Sequence, residues 1–155
     1  MNLVITMYRT GVPGFLLALA SSLSLAAQCE IEIGSTDQMS FTTQHIEVSR
    51  QCKQFTVTLK HVGSMPAAVM GHNWVLAKAA DVSAVANDGI SAGAASAYLK
   101  PADDRVLAST KLIGGGESAS VTFEVSQLKA GETYAYFCSF PGHWAVMKGQ
   151  LQLVD

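Results

Sequence analysis

Phe55-Thr56-Val57-Thr58-Leu59-Lys60-His61 alternates between apolar and polar side chains, with His61 falling on the apolar parity. Successive side chains of a strand point to opposite faces, so a period of two predicts a strand with one buried and one wet face. Val121-Thr122-Phe123-Glu124-Val125 and Gln150-Leu151-Gln152-Leu153 repeat the pattern. Further strands are expected at 30–34, 41–48, 73–77, 106–112 and 133–138. Turn signals stand at Gly63-Ser64, Gly114-Gly115-Gly116 and Ala130-Gly131. About eight short strands with no alternating helices predict an all-β sandwich of two sheets. Between 79 and 100, Ala, Ser and Gly crowd together, and Asp81 is placed to cap a short helix lying outside the sandwich.

Around these strands the composition is restrained. The chain has 155 residues, 49% hydrophobic and 14% charged, with 10 Lys+Arg against 12 Asp+Glu. That excludes a disordered tail, and the absence of a Lys/Arg run removes the footprint that a nucleic-acid backbone requires. Arg9 is the only charge before an apolar run from Val12 to Leu25 that closes on Ser24-Leu25-Ala26. A basic start, an apolar stretch and small residues before a cut after Ala26 are the pattern of an export signal. Residues 1–26 are therefore expected to be a cleaved signal peptide and 27–155 one domain; an uncleaved membrane anchor is the other reading. Removing 1–26 takes away Arg9 alone among the charges, leaving a net charge near -3.

Three cysteines leave one over after any pairing. Cys29 and Cys52 each stand beside an expected strand, and an oxidising compartment favours a disulfide between them; the alternative is that one of them ligates a metal. Cys138 opens Cys138-Ser139-Phe140-Pro141-Gly142-His143-Trp144-Ala145-Val146-Met147, which places a thiol, an imidazole and a thioether in ten residues. A hairpin-like loop can turn all three towards one point. His72, in Gly71-His72-Asn73-Trp74, is the best supplier of a second imidazole. Two imidazoles and a thiolate with a long axial Met favour copper over zinc, for which Met is a poor ligand. Met147 shares parity with Leu151 and Leu153, so a place in the core is its other reading. A Cys/His nucleophile pair lacks a third orienting group and an oxyanion motif. His45 and His61 lie in no ligand-like context, and no His-x-His pair supplies a second, substrate-binding metal; His61 reads as a partly buried, hydrogen-bonded histidine.

Gly71-His72-Asn73-Trp74, Cys138-Ser139-Phe140-Pro141-Gly142-His143 and Met147, together with Cys29 and Cys52, resemble the azurins, type 1 blue copper proteins of the cupredoxin class. Asp37-Gln38-Met39, Cys52-Lys53-Gln54-Phe55-Thr56-Val57, Tyr98-Leu99-Lys100-Pro101 and Thr110-Lys111-Leu112-Ile113-Gly114 extend the resemblance over the whole chain after residue 26. It implies a Greek-key cupredoxin sandwich holding one copper, used for electron transport in the bacterial periplasm by a monomer that is not itself an enzyme. By matching positions, His72, Cys138 and His143 are implied as the strong ligands, Met147 as the long axial one and the Gly71 carbonyl as a distant contact. The resemblance also implies that Trp74 lies in the core and that Asn73 and the backbone N–H of Phe140 hydrogen-bond around the thiolate. Electrons are expected to pass through His143, ringed by an apolar docking patch of Met39, Met65, Val69, Met70, Ile90, Phe140, Pro141, Gly142, Ala145 and Val146. Partners of the family's kind are c-type cytochromes, nitrite reductase or an amine dehydrogenase. A copper-delivery protein is the rival reading, but it would expose Met- or His-rich segments that this chain lacks.

Overall fold

The computed structural model describes residues 27–155; the expected signal peptide, 1–26, lies outside the described residues. Among the described residues, nine strands form two sheets: β1 (Glu30–Thr36), β2 (Ser40–Phe41), β4 (Gln54–His61) and β7 (Ser118–Glu124) in one, and β3 (His45–Ser49), β5 (Val75–Lys78), β6 (Ala108–Ser109), β8 (Tyr134–Phe137) and β9 (Lys148–Val154) in the other. Their orders are β2-β1-β4-β7 and β3-β9-β8-β5-β6. The β1–β4 and β3–β9 pairs are parallel and the others antiparallel.

The alternation in β4 does what its period predicts. Phe55, Val57, Leu59 and His61 are buried, while Gln54, Thr56, Thr58 and Lys60 point outward. On the outer face Thr56 bonds Thr122 at 2.9 Å and Thr58 bonds Ser120 at 2.8 Å, cross-strand pairs that fix the register of β4 on β7. Inside, Trp74 is stacked between Phe123 and Tyr136, with centroids 6.2 and 5.7 Å away. A disulfide joins Cys29 to Cys52 at the edge of this core.

Strand β8 is buried at all four positions, so it has no wet face. Its second face is covered by α2 (Val82–Gly89), which packs Val82, Val85 and Ala86 against Val75, Ala77, Ala135 and Phe137. Arg105 ties the helix down from outside, bonding Asp103 at 2.6 Å and Asp88 at 2.7 Å. A second short helix, α1 (Ala67–Met70), leads into Gly71.

Three local expectations change. The stretch 41–48 is not one strand: β2 and β3 belong to different sheets, and the chain crosses between them at 42–44. Thr42 fixes that corner, exchanging backbone N–H and side-chain Oγ1 bonds with Gly34 at 2.9 and 2.8 Å. Within 106–112 only Ala108–Ser109 forms a strand, flanked by backbone bonds from Leu107 to Leu76 and from Thr110 to Trp74, with a bridge from His72 to Ile113 just beyond. Asp81 makes no side-chain cap because the 3-10 turn Ala79–Asp81 runs directly into α2, so the helix does not start from an extended residue.

Candidate metal centre

The chain builds one end of the sandwich from three distant pieces. His72 follows α1 and is clamped to Ile113 by two backbone bonds, of 3.0 and 2.8 Å. A Cβ on Gly71 would strike the Ala67 carbonyl and the Leu112 side chain, so glycine is what lets the chain pass there. Cys138 leaves β8 and Met147 enters β9, and the Cys138 N–H donates to the Met147 carbonyl at 3.1 Å, closing the loop at its base. Within the loop, the His143 N–H donates to the Phe140 carbonyl at 3.0 Å across Pro141-Gly142. Pro at the second position and Gly at the third, with a φ of 84°, are what a type II turn requires. The Met147 N–H then donates to the His143 carbonyl at 2.7 Å, which folds the histidine back over the cysteine.

The result is a group of three donors: His72 Nδ1, Cys138 Sγ and His143 Nδ1 all lie within 4.8 Å of one another. Sγ stands 3.8 Å from His72 Nδ1 and 3.6 Å from His143 Nδ1. Bonds of about 2.0–2.3 Å to a first-row metal, spread about 120° apart, put N and S about 3.7 Å from each other. The spacing therefore fits an ion at the centre of the triangle. Met147 is fully buried in the same core, and the Gly71 carbonyl oxygen lies 3.8 Å from Sγ.

His72 has its tautomer fixed. Its Nε2 lies 2.8 Å from the Thr36 carbonyl, which can only accept, so Nε2 carries the proton and Nδ1 presents a lone pair towards Cys138. Burial pushes its pKa down to about 4, and burial lowers that of His143 also, so both rings are neutral donors at pH 7. The same burial raises the Cys138 thiol to about 11, against the opposing pull of the Asn73 and Phe140 backbone N–H groups. Asn73 also reaches around the thiol with its side chain, bonding Ser139, which in turn donates to the Ala97 carbonyl at 2.6 Å. Ala97 and Tyr98 both sit at positive φ, so this bond holds a strained turn against the loop.

Some neighbours of the site were not visible in the sequence. His61 is wholly buried, and its ring lies edge-on to His72 with centroids 4.6 Å apart. Its Nε2 pairs with Asp37 Oδ1 at 3.1 Å, whereas Nδ1 has no partner among the described residues. It is thus more buried and less satisfied than its strand parity suggested. Asp37 also accepts from the Ser64 and Met65 backbone N–H groups, and the Ser64 bond foremost holds its carboxyl below the usual range. Of the expected docking patch, Met39, Met65, Val69, Ile90 and Val146 are exposed, and Met70 and Phe140 are half-buried. Val62 is equally exposed and was not anticipated.

A mixed two-sheet sandwich with two imidazoles and a thiol buried together at one end, one from a strand start and two from the last loop, is a cupredoxin. The chain belongs to the plastocyanin/azurin family of copper binding proteins, whose family profile matches residues 27–154. It is similar to the azurin of Bordetella pertussis, 61% identical over 140 residues that cover 90% of this chain and 93% of that protein. It is also similar to the azurin of Pseudomonas aeruginosa, 57% identical over 138 residues covering 89% and 93%. Among solved structures, the azurin Az-iso2 of Methylomonas sp. strain J superposes with a TM-score of 0.81 at 50% identity, covering 83% of this chain and all of that one.

Proposed function

We propose that this protein is an exported, periplasmic electron carrier that cycles one type 1 copper between Cu(I) and Cu(II) and shuttles electrons between redox proteins, without being an enzyme itself. The observation that carries the reading is the buried triangle of His72, Cys138 and His143, with donor atoms at ligand spacing. Copper bound there supplies a one-electron couple and needs no open coordination position. His72 and His143 would hold the ion through Nδ1 and Cys138 as thiolate, with Met147 and the Gly71 carbonyl as weaker donors. Held by the two His72–Ile113 bonds and the closed loop, these donors move little between oxidation states, so little reorganisation opposes transfer.

His143 keeps 4% exposure where His72 and Cys138 have none, so it is the route to the surface. The exposed Met39, Met65, Val69, Ile90 and Val146, with Met70, Phe140, Pro141, Gly142 and Ala145, offer an apolar, adaptable face for brief docking to c-type cytochromes, nitrite reductase or an amine dehydrogenase. The test is the visible spectrum of the copper-loaded protein. An intense thiolate-to-Cu(II) band in the orange-red is expected; a pale protein with weak bands alone would overturn the assignment.

A further inference from the structure

Trp144 follows His143 in sequence but does not join the exposed loop residues. It is half-buried against the second apolar cluster, beneath α2, and forms one wall of a cleft of about 510 Å3 on the outer face of the β3-β9-β8-β5 sheet. Ala79, Val82 and Ala135 give the cleft apolar surface, and His45 and Lys148 are polar members of its lining. None of His72, Cys138, His143 or Met147 lines it. It is a different site from the metal centre.

We propose that this cleft binds a small planar aromatic carboxylate, stacked on the Trp144 indole with its carboxylate at Lys148. The volume lies in the range of small-ligand sites, which are mostly apolar with a few placed polar groups. An indole face favours a flat aromatic ring, in offset-stacked or edge-on contact, over an aliphatic group of equal area. Charge decides the sign of the ligand. Lys148 is exposed, no Asp or Glu lines the cleft, and among the described residues no carboxylate lies within 4 Å of Lys148. An anion finds a partner there, and a cation finds none. The proposal does not depend on the electron-carrier reading, although Trp144, which walls the cleft, stands in the loop that carries Cys138, His143 and Met147.

The experiment is an NMR titration of isotope-labelled protein, loaded with Cu(I) and separately metal-free, with naphthoate and with its neutral amide. Saturable shifts are expected at the Trp144 indole N–H and the Gly149 backbone N–H in both forms. Naphthoate should bind about threefold more tightly than the amide, the size of an exposed ion pair. Trp144→Ser should weaken both about tenfold, the scale of a lost aromatic contact. Lys148→Gln should remove the preference for the acid while leaving the amide's affinity alone. The proposal fails if no saturable shift centres on Trp144, if the shifts fall on the Met39, Val69 and Val146 face instead, or if Trp144→Ser binds as tightly as the parent. Should Trp144→Ser not fold, Lys148→Gln alters only an exposed side chain, and an unchanged preference for the acid in that variant overturns the proposal.

Discussion

Asn73 and Ser139 hold each other by two hydrogen bonds: the Ser139 N–H donates to Asn73 Oδ1 at 2.9 Å, and Asn73 Nδ2 donates to Ser139 Oγ at 2.7 Å. The pair stitches the segment carrying His72 to the segment carrying Cys138 across 66 positions of sequence. Both residues are buried, so water cannot replace either bond. Asn73→Leu strands the Ser139 N–H and should lower stability by about 2–3 kcal/mol, whereas Ser139→Ala should cost about 1 kcal/mol. In the second variant Asn73 Nδ2 keeps the Ala97 carbonyl at 3.2 Å. Urea unfolding of the metal-free variants measures both, and equal losses would show that the double bond is not the stitch.

Cys138→Ser is expected to keep the sandwich, since the substitution is small and the core around it is otherwise unchanged, yet to lose the intense visible band. A hydroxyl is a harder and weaker charge-transfer donor than a thiolate. A variant that stayed blue would remove Cys138 from the site.

Copper uptake should release a proton. Burial holds the Cys138 thiol up at about 11, so at neutral pH a proton occupies the sulfur and competes with the metal. The His72 ring, pushed down to about 4, offers no such competition there. Apparent Cu(II) affinity should therefore rise about tenfold per pH unit between roughly pH 6 and 10, with about one proton released per ion. Calorimetric titrations in buffers of different ionisation heat measure that proton. Protons also oppose the metal-free fold, in a lower window: the unfolded His72 protonates near 6.5 while the folded one resists until about 4, so stability should fall as pH drops through that window.

Met147 fills a fully buried place between the loop and β9. Met147→Leu conserves volume and should cost less than about 1.5 kcal/mol. Copper should still bind, and the reduction potential should rise, because losing a weak donor disfavours Cu(II) more than Cu(I). Voltammetry of the loaded variant checks the direction, and loss of copper binding would show the assignment to be wrong.

Met70, half-buried two residues before His72, tests the route through the apolar face. Met70→Lys should leave the spectrum nearly unchanged and slow self-exchange between two copies, because docking then brings two ammonium groups into an apolar contact. Raising the pH until the lysine is neutral should restore much of the rate. Unchanged self-exchange at neutral pH would place the electron route on another face.

The strands with one wet face were legible because each alternates without interruption; β4 and β7 are the plainest. The break in 41–48 was present but subtle. Phe41 is buried on odd parity and Ile46 and Val48 on even, and that slip of one residue is the corner where the chain changes sheets. At the site, Cys138, His143 and Met147 could be read together because a single loop carries them. The bond from His72 to Thr36 spans 36 positions, and that from Ser139 to Ala97 spans 42. Such contacts depend on the three-dimensional path of the chain and leave no local pattern. His61 shows the same limit, since its parity placed it inside without revealing that it faces His72.

The parallel pairing of β3 with β9 sets the order in which this molecule matures. The five-stranded sheet places its C-terminal strand between β3 and β8, so β3 has no place in the sheet until the last residues of the chain have arrived. Contacts this far apart in sequence form slowly, after local ones. The loop bearing Cys138, His143 and Met147 is held open or shut by the strands on either side of it, β8 and β9. Docking of β9 beside β8 therefore fixes both ends of the loop that carries Cys138, His143 and Met147.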